Sequence, residues 1–339
     1  MKRFVIKTLI FAIFCALVST LMPLAVDPYN VFHTANIRDN GVEPNKHYIK
    51  MEYLLGNDVD FDAYLFGSSR VGALHTEKLE GVKCYNMTYS EGLPVEHLEN
   101  VRSLIAAGKK LKKVYIGVDV ASYTNPHESH HADPIRMPYE YIKAHRLDFY
   151  RTYFDPAKAF RALPTIFKHK ADPGYADIFY NKGWAIDYDV PDMAADAYVE
   201  NTIEEGSDWA SEMETELEAI RELKQLCDEN AVELIVFTLP MHEVTYKNAL
   251  KHGYKDFLAG LESITAFYDF SGLNPITEAT ENYIDPSHFN AEVGDVMIDV
   301  LNGNEPEERL SKKGFGRLCT GPAPSSSALP LYQPQPPGN

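Results

Sequence analysis

The sequence predicts an α/β fold built around a parallel sheet, and two patterns lead to this expectation. Short apolar stretches recur along the chain, and segments with helical periodicity separate them. Strands that are apolar along their whole length are typical of a parallel sheet with both faces covered, and such sheets bind ligands at the carboxyl ends of their strands. The predicted strands are 63–66, 82–87, 114–118, 234–237 and 266–270.

The segments beside these strands include four predicted helices. A short helix is expected around Tyr48 to Leu55, and Pro94 is well suited to begin the helix after the second strand. The clearest pattern precedes the fourth strand, where Ser207 is a suitable N-cap residue, and Asn290 is suited to cap the last helix. The apolar stripe of the clearest helix consists of Trp209, Met213, Leu217, Ile220, Leu223 and Leu226.

The first 26 residues are predicted to be a single-pass membrane anchor. Lys2, Arg3 and Lys7 precede an uncharged stretch from Thr8 to Val26, which is about long enough to cross the hydrocarbon core of a bilayer. A convincing small-residue cleavage site is missing at 21–26, so an uncleaved signal anchor is favoured over a removed signal peptide. Because the basic residues lie only on the N-terminal side, the remaining chain is expected outside the cytoplasm.

The rest of the chain is predicted to form a polar stem at 27–57, a main domain at 58–302 with an insertion at 122–206, and a disordered tail at 303–339. The tail becomes Pro- and Ser-rich and cannot build a core. The insertion is rich in aromatic residues, which are suited either to lining a groove for a sugar polymer or to forming a small core of their own. These residues are Tyr139, Tyr141, Tyr150, Tyr153, Phe179, Tyr180, Trp184 and Tyr188.

The composition excludes some classes of function. A chain of 339 residues with 45% apolar content can bury a substantial core. Its formal net charge of −17 argues against nucleic acid as a partner, because phosphate binding requires clustered Lys and Arg. The four cysteines show no C-x-x-C spacing, which argues against a zinc ribbon and against a thioredoxin-type redox pair.

Two stretches near opposite ends of the main domain carry the residues of a hydrolase triad. Ser69 follows the first predicted strand in Phe66-Gly67-Ser68-Ser69-Arg70, and Asp285-Pro286-Ser287-His288 precedes the last helix. A serine hydroxyl becomes nucleophilic when an imidazole takes its proton, and a carboxylate fixes the tautomer of that imidazole. The sequence therefore predicts a fold that returns its last loop to the end of its first strand.

These stretches resemble the blocks of a known superfamily. Leu65-Phe66-Gly67-Ser68-Ser69 is similar to the first block of the SGNH (GDSL-like) hydrolases, and Asp285-Pro286-Ser287-His288 to their last. The resemblance covers about 58–301 and is closest to membrane-anchored members that act on cell-envelope polymers. It implies a flavodoxin-like three-layer sandwich, with Ser69 as nucleophile, His288 as general base and then acid, and Asp285 orienting His288.

The middle blocks match the family less well. Glu91 stands where the family places a glycine whose amide helps form the oxyanion hole, with Gly92 next to it, so the backbone N–H of either residue is a candidate donor. Asp119 replaces an asparagine donor, and an ionised carboxylate only accepts hydrogen bonds. Asp119 is therefore at least as well suited to an N-cap or loop-ordering role as to a direct catalytic one. Arg70 is suited to pairing with Asp119, to binding an anionic substrate or to remaining a solvated charge.

A competing motif lies in the insertion, where His127-Glu128-Ser129-His130-His131 satisfies the zinc-hydrolase pattern H-E-x-x-H. Pro126 and Pro134 bracket this stretch, so a helix there has about two turns at most. The nearest further carboxylate is Glu140. We expect a polar loop rather than a zinc site.

Together these observations predict an extracytoplasmic serine ester hydrolase or O-acyltransferase that acts on acyl esters of a cell-envelope polysaccharide without a metal or organic cofactor. The alternative is a catalytically inactive carbohydrate-binding or assembly protein on the same fold. The altered oxyanion blocks motivate that alternative.

Overall fold

A six-stranded sheet with the order β2-β1-β3-β4-β5-β6 forms the centre of the protein. The computed structural model describes residues 1–168, 209–285, 288–304 and 314–321. The strands are β1 (Ala63–Phe66), β2 (Cys84–Asn86), β3 (Lys113–Val118), β4 (Glu233–Thr238), β5 (Phe267–Asp269) and β6 (Arg317–Cys319). The first five pair in parallel, while β6 is antiparallel to β5. The α/β class, the parallel pairing and all five predicted strands are confirmed.

Helices connect most of these strands. They are α1 (Lys2–Val26), α2 (Lys46–Gly56), α3 (Pro94–Ala106), α4 (Ala121–Thr124), α5 (His127–His130), α6 (Tyr139–Ala144), α7 (Arg146–Tyr153), α8 (Pro156–Lys168), α9 (Trp209–Glu229), α10 (Glu243–Lys251), α11 (Tyr254–Ile264) and α12 (Ala291–Leu301). As predicted, Pro94 begins α3, and the Asn290 side chain accepts a hydrogen bond from the N–H of Val293 to cap α12. Ser207 lies outside the described residues.

Side chains along the central strands alternate between two apolar clusters. Tyr64 and Phe66 of β1 belong to the first cluster, together with side chains of α3, α9 and α11. Ala63 and Leu65 belong to the second, together with side chains of α12. Because successive residues of a strand point to opposite faces, the two clusters bury both faces of the sheet. This burial explains why the strands are apolar throughout.

The helix α1 is, within the described residues, the one helix that is long and apolar enough to cross a membrane. Its side chains from Lys2 to Leu17 are exposed. The chain ends this helix at Asp27, which adopts φ 47° and accepts hydrogen bonds from the backbone N–H groups of Val31, Phe32 and His33. The predicted N-terminal apolar helix is thus confirmed.

The segment 27–57, predicted to be a polar stem, packs into the main core. Its helix was predicted correctly and is formed by α2, capped by Asn45. Tyr48, Met51 and Leu54 of α2 are buried in the first cluster, and so is Tyr29 from the segment before it. The burial of these four apolar side chains explains why the segment packs against the domain instead of standing apart.

The prediction that the chain is disordered from 303 onwards is wrong for residues 314–321. This stretch contains β6, and the backbone N–H of Gly316 donates to the carbonyl of Asp269 in β5. Phe315 is buried, and its ring lies 5.0 Å from that of Phe270. A short stretch of the polar tail is therefore ordered, because it buries one aromatic side chain and pairs with an otherwise open sheet edge.

Candidate active site

The turn after β1 presents Ser69 at the carboxyl end of a central strand. Gly67 has φ +157°, and a Cβ atom there would lie 2.5 Å from Cγ1 of Val71 and 2.9 Å from the carbonyl oxygen of Gly117. Only glycine fits this sharp turn. A 3-10 helix, Ser69–Ala73, begins immediately after it, and the Ser68 side chain caps that helix. Ser69 thus occupies the position at which parallel sheets bind ligands.

A second loop, before α12, holds His288. Tyr283 and Phe289 form an isolated antiparallel bridge, and the N–H of Ile284 donates to the carbonyl of His288 over 2.9 Å. Within this loop the carboxylate of Asp285 accepts the backbone N–H of His288, also over 2.9 Å. Pro286 and Ser287 lie outside the described residues. The loop backbone therefore fixes both the histidine and its acidic neighbour.

The two loops meet. Ser69 Oγ lies 2.7 Å from Nε2 of His288, although 219 positions separate the two residues in the chain. Nδ1 of the same ring lies 2.9 and 2.8 Å from Oδ1 and Oδ2 of Asp285. An ionised carboxylate only accepts hydrogen bonds, so Nδ1 carries the proton and Nε2 is left to accept the Ser69 hydroxyl. The three predicted triad residues thus form one hydrogen-bonded chain.

This triad is accessible to solvent. The side chain of His288 is 20% exposed and that of Asp285 is 44% exposed. A substrate can therefore reach the hydroxyl of Ser69, which is itself only partly buried. Because water screens an exposed carboxylate, Asp285 stabilises a charged imidazole less than a buried aspartate would.

Asp119 lies beneath this turn and binds groups that donate to it. Its carboxylate is fully buried, forms an ion pair of 2.6 Å with Arg70, and accepts hydrogen bonds from the Ser68 hydroxyl and the N–H of Ala121. Burial alone would raise the pKa of Asp119, but the Arg70 guanidinium and these hydrogen bonds outweigh burial and hold the pKa below its ordinary value. Asp119 is thus an ionised acceptor that orders the turn, and Arg70 pairs with it, as one of the predicted alternatives had it.

Glu91 and Gly92, whose backbone N–H groups are the two candidate oxyanion donors, differ in their surroundings. Gly92 lies against the end of β1, because a Cβ atom there would be 2.6 Å from the carbonyl oxygen of Gly67. The Glu91 side chain instead points to the insertion, where it forms a 2.6 Å ion pair with Arg136 and accepts a hydrogen bond from Asn125. Gly92 is therefore the candidate that lies beside the Ser69 turn.

A buried lysine, Lys50, which the sequence analysis does not single out, stabilises the backbone at the end of β2. Nζ of Lys50 donates to the carbonyl of Asn86, the last residue of β2, and to that of Thr88 just after it, 2.9 Å from each. Burial lowers the pKa of Lys50 well below its ordinary value. Thr88 in turn donates to the carbonyl of Ser68. Helical spacing offered a signal, since Lys50 shares the face of α2 that carries Leu54, four residues on.

The competing H-E-x-x-H stretch has a different environment. Nδ1 of His130 lies 2.6 Å from Oε1 of Glu96, and both side chains are buried. Burial alone would raise the pKa of Glu96, but the hydrogen bond and charge of His130 lower it to about 2. Nδ1 of His127 lies 3.8 Å from the same oxygen. The two histidines of the pattern itself are His127 and His131, whose Nε2 atoms lie 3.3 Å apart, and Glu128 is its glutamate. Across the described ranges, no group of three or more His, Cys, Asp or Glu side chains is arranged to hold a metal ion.

The aromatic side chains of the insertion divide into two groups. Tyr139 and Tyr153 are buried in the first cluster, with Tyr153 lying 5.5 Å from the ring of Tyr29. Tyr141 stacks between His131 and His145, whereas Tyr150 is exposed. The other four candidates, Phe179, Tyr180, Trp184 and Tyr188, lie outside the described residues. Tyr139 and Tyr153 therefore pack in the main core, which is neither a separate small core nor an open groove.

No protein-family model, curated protein or solved structure matches this chain. The resemblance to SGNH hydrolases therefore stays a prediction from the motif residues of the chain.

Proposed function

We propose that this protein is a membrane-anchored serine ester hydrolase or O-acyltransferase of the SGNH type, with a flavodoxin-like three-layer domain outside the cytoplasm. Its substrate is an acyl ester of a cell-envelope polysaccharide. The observation that carries the proposal is the hydrogen-bonded chain from Ser69 Oγ through His288 to Asp285. The basic residues on the cytoplasmic side of α1 support the orientation.

The reaction proceeds in two steps. Ser69 Oγ attacks the ester carbonyl carbon while its proton passes to Nε2 of His288, and Asp285 stabilises the resulting imidazolium. His288 then donates that proton to the leaving alcohol oxygen as the C–O bond breaks, which leaves the acyl group on Ser69. Water or a sugar hydroxyl next loses a proton to His288 and attacks the acyl carbon, which frees Ser69 and gives an acid or a new ester.

The backbone N–H groups of Ser69 and Gly92 are the proposed oxyanion donors. Ser69 begins a 3-10 helix, where an N–H has no acceptor within the helix, and Gly92 lies against Gly67, two residues before Ser69. Asp119 supplies no donor, because its ionised carboxylate is held by Arg70. Since one missing donor costs about two to three powers of ten in rate, we expect slow turnover of simple esters.

A fluorophosphonate probe tests the nucleophile. The full-length protein is expected to gain one phosphonyl adduct by intact mass, and the adduct should be absent in Ser69→Ala. Ser68→Ala is the matched control, because it removes the neighbouring hydroxyl and leaves Ser69 in place, so its adduct should still form. Labelling of Ser69→Ala at the wild-type level would refute the proposal.

The inactive binding protein is a second candidate, and the Arg70–Asp119 ion pair at the position of an expected donor favours it. The two candidates differ in turnover. Hydrolysis of a simple acetyl ester by the wild type, abolished in His288→Ala, excludes the inactive protein. If the wild type neither turns over the ester nor forms an adduct, the inactive protein is the correct assignment.

A further inference from the structure

The helix α8 packs against the end of the apolar helix α1. Ala159 and Ala162 of α8 are buried in a small cluster with Val26, and Met22 packs against the same cluster. Leu163 and Ile166 of α8 complete it from their partly buried positions. The last turn of α1 and one face of α8 therefore form a single packed unit.

The position of this contact along α1 determines the depth at which α8 lies relative to a bilayer that α1 spans. The uncharged stretch of α1 runs from Thr8 to Val26, and at about 1.5 Å per residue it spans nearly the thickness of a hydrocarbon core. Met22 and Val26 lie at the end of that stretch which faces the folded domain. A helix packed on them lies where the hydrocarbon core gives way to the lipid headgroups.

Ring contacts place α7 at the same depth as α8. Its Phe149 ring lies 5.6 Å from that of Phe32, and its Tyr153 ring lies 5.5 Å from that of Tyr29. Both partners lie within six residues of Val26, where α1 ends. The two helices α7 and α8, with the residues between them, are therefore both held beside the end of α1.

Large apolar side chains are exposed on this pair of helices. Leu147 and Tyr150 of α7 are 63% and 50% exposed, and Phe160 of α8 is 47% exposed. Such side chains normally bury their surface, and aromatic rings are favoured at the headgroup level of a bilayer. The exposed set lies on α8, which contacts the apolar anchor, and on α7, which contacts residues that directly follow the anchor.

The charge of this segment is opposite to that of the whole chain. Residues 143–168 contain six Lys or Arg against two Asp, in a chain with a net charge of −17. Arg151 and Arg161 are exposed. Basic side chains beside exposed apolar ones are typical of segments that lie on anionic membranes, where each contributes about 1 kcal/mol of attraction.

We propose that α7 and α8 form a docking surface for the headgroup region of an anionic lipid bilayer, with Leu147, Tyr150 and Phe160 inserted and Arg151 and Arg161 among the headgroups. This surface fixes the orientation of the whole domain on the membrane, which a single anchoring helix cannot do. The proposal goes beyond the esterase and does not depend on the chemistry of Ser69.

Fluorescence quenching in vesicles tests this surface. The full-length protein, with Cys15 and Cys319 replaced by Ala and the buried Cys84 and Cys227 retained, carries an environment-sensitive NBD label at Phe160→Cys. It is reconstituted in vesicles of phosphatidylcholine and phosphatidylglycerol that contain nitroxide-labelled lipid. We expect a blue-shifted label that loses more than half of its fluorescence to the nitroxide.

Two further labels control the result. Leu318→Cys is a matched exposed position on β6, at the opposite edge of the sheet from β2, and its label should stay unquenched. The protein labelled at its native Cys15, which is exposed on α1, should be quenched by mid-chain nitroxide. If the label at 160 behaves like that at 318, or if Cys15 is not quenched, the proposal is overturned.

A charge reversal tests the choice of anionic lipid. Arg151→Glu combined with Arg161→Glu should weaken quenching at 160 in the anionic vesicles and change it little in pure phosphatidylcholine. Arg221→Glu on α9, which is also exposed, should have no effect. Equal quenching of all variants would refute a headgroup-binding surface. Hydrolysis of a soluble acetyl ester should be unchanged in these variants, so this result and that of the esterase tests are read separately.

Discussion

Two pairs of histidine and carboxylate side chains in this protein have nearly the same geometry and opposite surroundings. The His288 ring lies 2.8 Å from Asp285, and the His130 ring lies 2.6 Å from Glu96. The first pair is partly exposed beside a serine hydroxyl, whereas both members of the second, one on α5 and the other on α3, are buried. Close contact between histidine and carboxylate is therefore common to both, and access to solvent distinguishes them.

Two sequence motifs that both suggest a hydrolase therefore differ in the surroundings of their histidines. Asp285 and His288 both belong to a predicted triad, whereas His130 lies within the H-E-x-x-H stretch and its partner Glu96 lies in α3. In the first, Nε2 of His288 faces the hydroxyl of Ser69, which a substrate can reach. In the second, Nε2 of His130 is buried and lies 4.0 Å from Glu91. We infer that the first pair transfers protons and that the second stabilises the fold.

Replacement of the exposed histidine should have the largest effect on rate. In His288→Ala, Ser69 loses its general base, so hydrolysis of an acetyl ester should fall by about four powers of ten or to background. The melting temperature should change little, because the ring is partly exposed. Steady-state kinetics and thermal unfolding measure both.

The control for this variant is His145→Ala, at an exposed histidine whose Nδ1 lies 3.1 Å from the carbonyl oxygen of Tyr141. It should retain the wild-type rate. If His288→Ala also retains the wild-type rate, the proton-transfer role of the exposed pair is wrong.

The buried histidine should show the reverse pattern. His130→Ala leaves the carboxylate of Glu96 buried without its main partner, so the free energy of unfolding should fall by about 3–5 kcal/mol. Ester hydrolysis per folded molecule should remain close to wild type. Urea denaturation and active-site titration with the phosphonate probe measure the two quantities.

His131→Ala is the matched neighbour, because its ring is only partly buried and stacks on Tyr141. It should cost less than about 1 kcal/mol. Loss of ester hydrolysis in a stable His131→Ala variant, which removes one of the two histidines of the H-E-x-x-H pattern, would instead assign that stretch to the chemistry.

The contrast also separates what the sequence predicts from what it does not. The strands, the cap at Asn290 and the apolar helix α1 follow from neighbouring residues, since propensity and periodicity are local. The meeting of Ser69 with His288 was expected because parallel strands bring their carboxyl ends to one edge of the sheet. The pairing of His130 with Glu96 depends on which helix faces which, and no local pattern encodes that.

The strand β6 gives a second reason for a wrong prediction. Its residues lie in a polar tail without periodicity, so the sequence favours disorder. The strand forms because β5 offers an open edge and Phe315 fills a space beside Phe270. Tertiary contacts of this kind outweigh a weak local preference.

Replacement of Asp285 should lower the rate of ester hydrolysis less than replacement of His288. Asp285→Asn removes the charge that stabilises the imidazolium and alters the tautomer that Nδ1 favours. For a buried aspartate the loss is about four powers of ten, but Asp285 is 44% exposed and water replaces part of its effect. We expect a loss of about two powers of ten in kcat, with an unchanged KM, from steady-state kinetics. A rate equal to wild type would show that Asp285 does not orient His288.

The smallest predicted effect concerns Glu216 of α9, which lies near the buried pair. Burial raises the pKa of its carboxyl to about 8, and it accepts the N–H of Val95 at the start of α3. Because the folded state holds this proton more tightly than the unfolded state, Glu216 adds stability below its ordinary pKa, and that stability is lost as the pH rises through about 8. Glu216→Gln keeps the acceptor without the charge, so its unfolding free energy should exceed that of wild type by on the order of 2 kcal/mol near pH 8 and match it near pH 5.

Glu214→Gln, at an exposed position of the same helix, should show no such pH dependence. Urea denaturation across this pH range measures the difference. Parallel curves for wild type and Glu216→Gln would show that Glu216 is ionised and solvated, and the buried cluster would then be smaller than described.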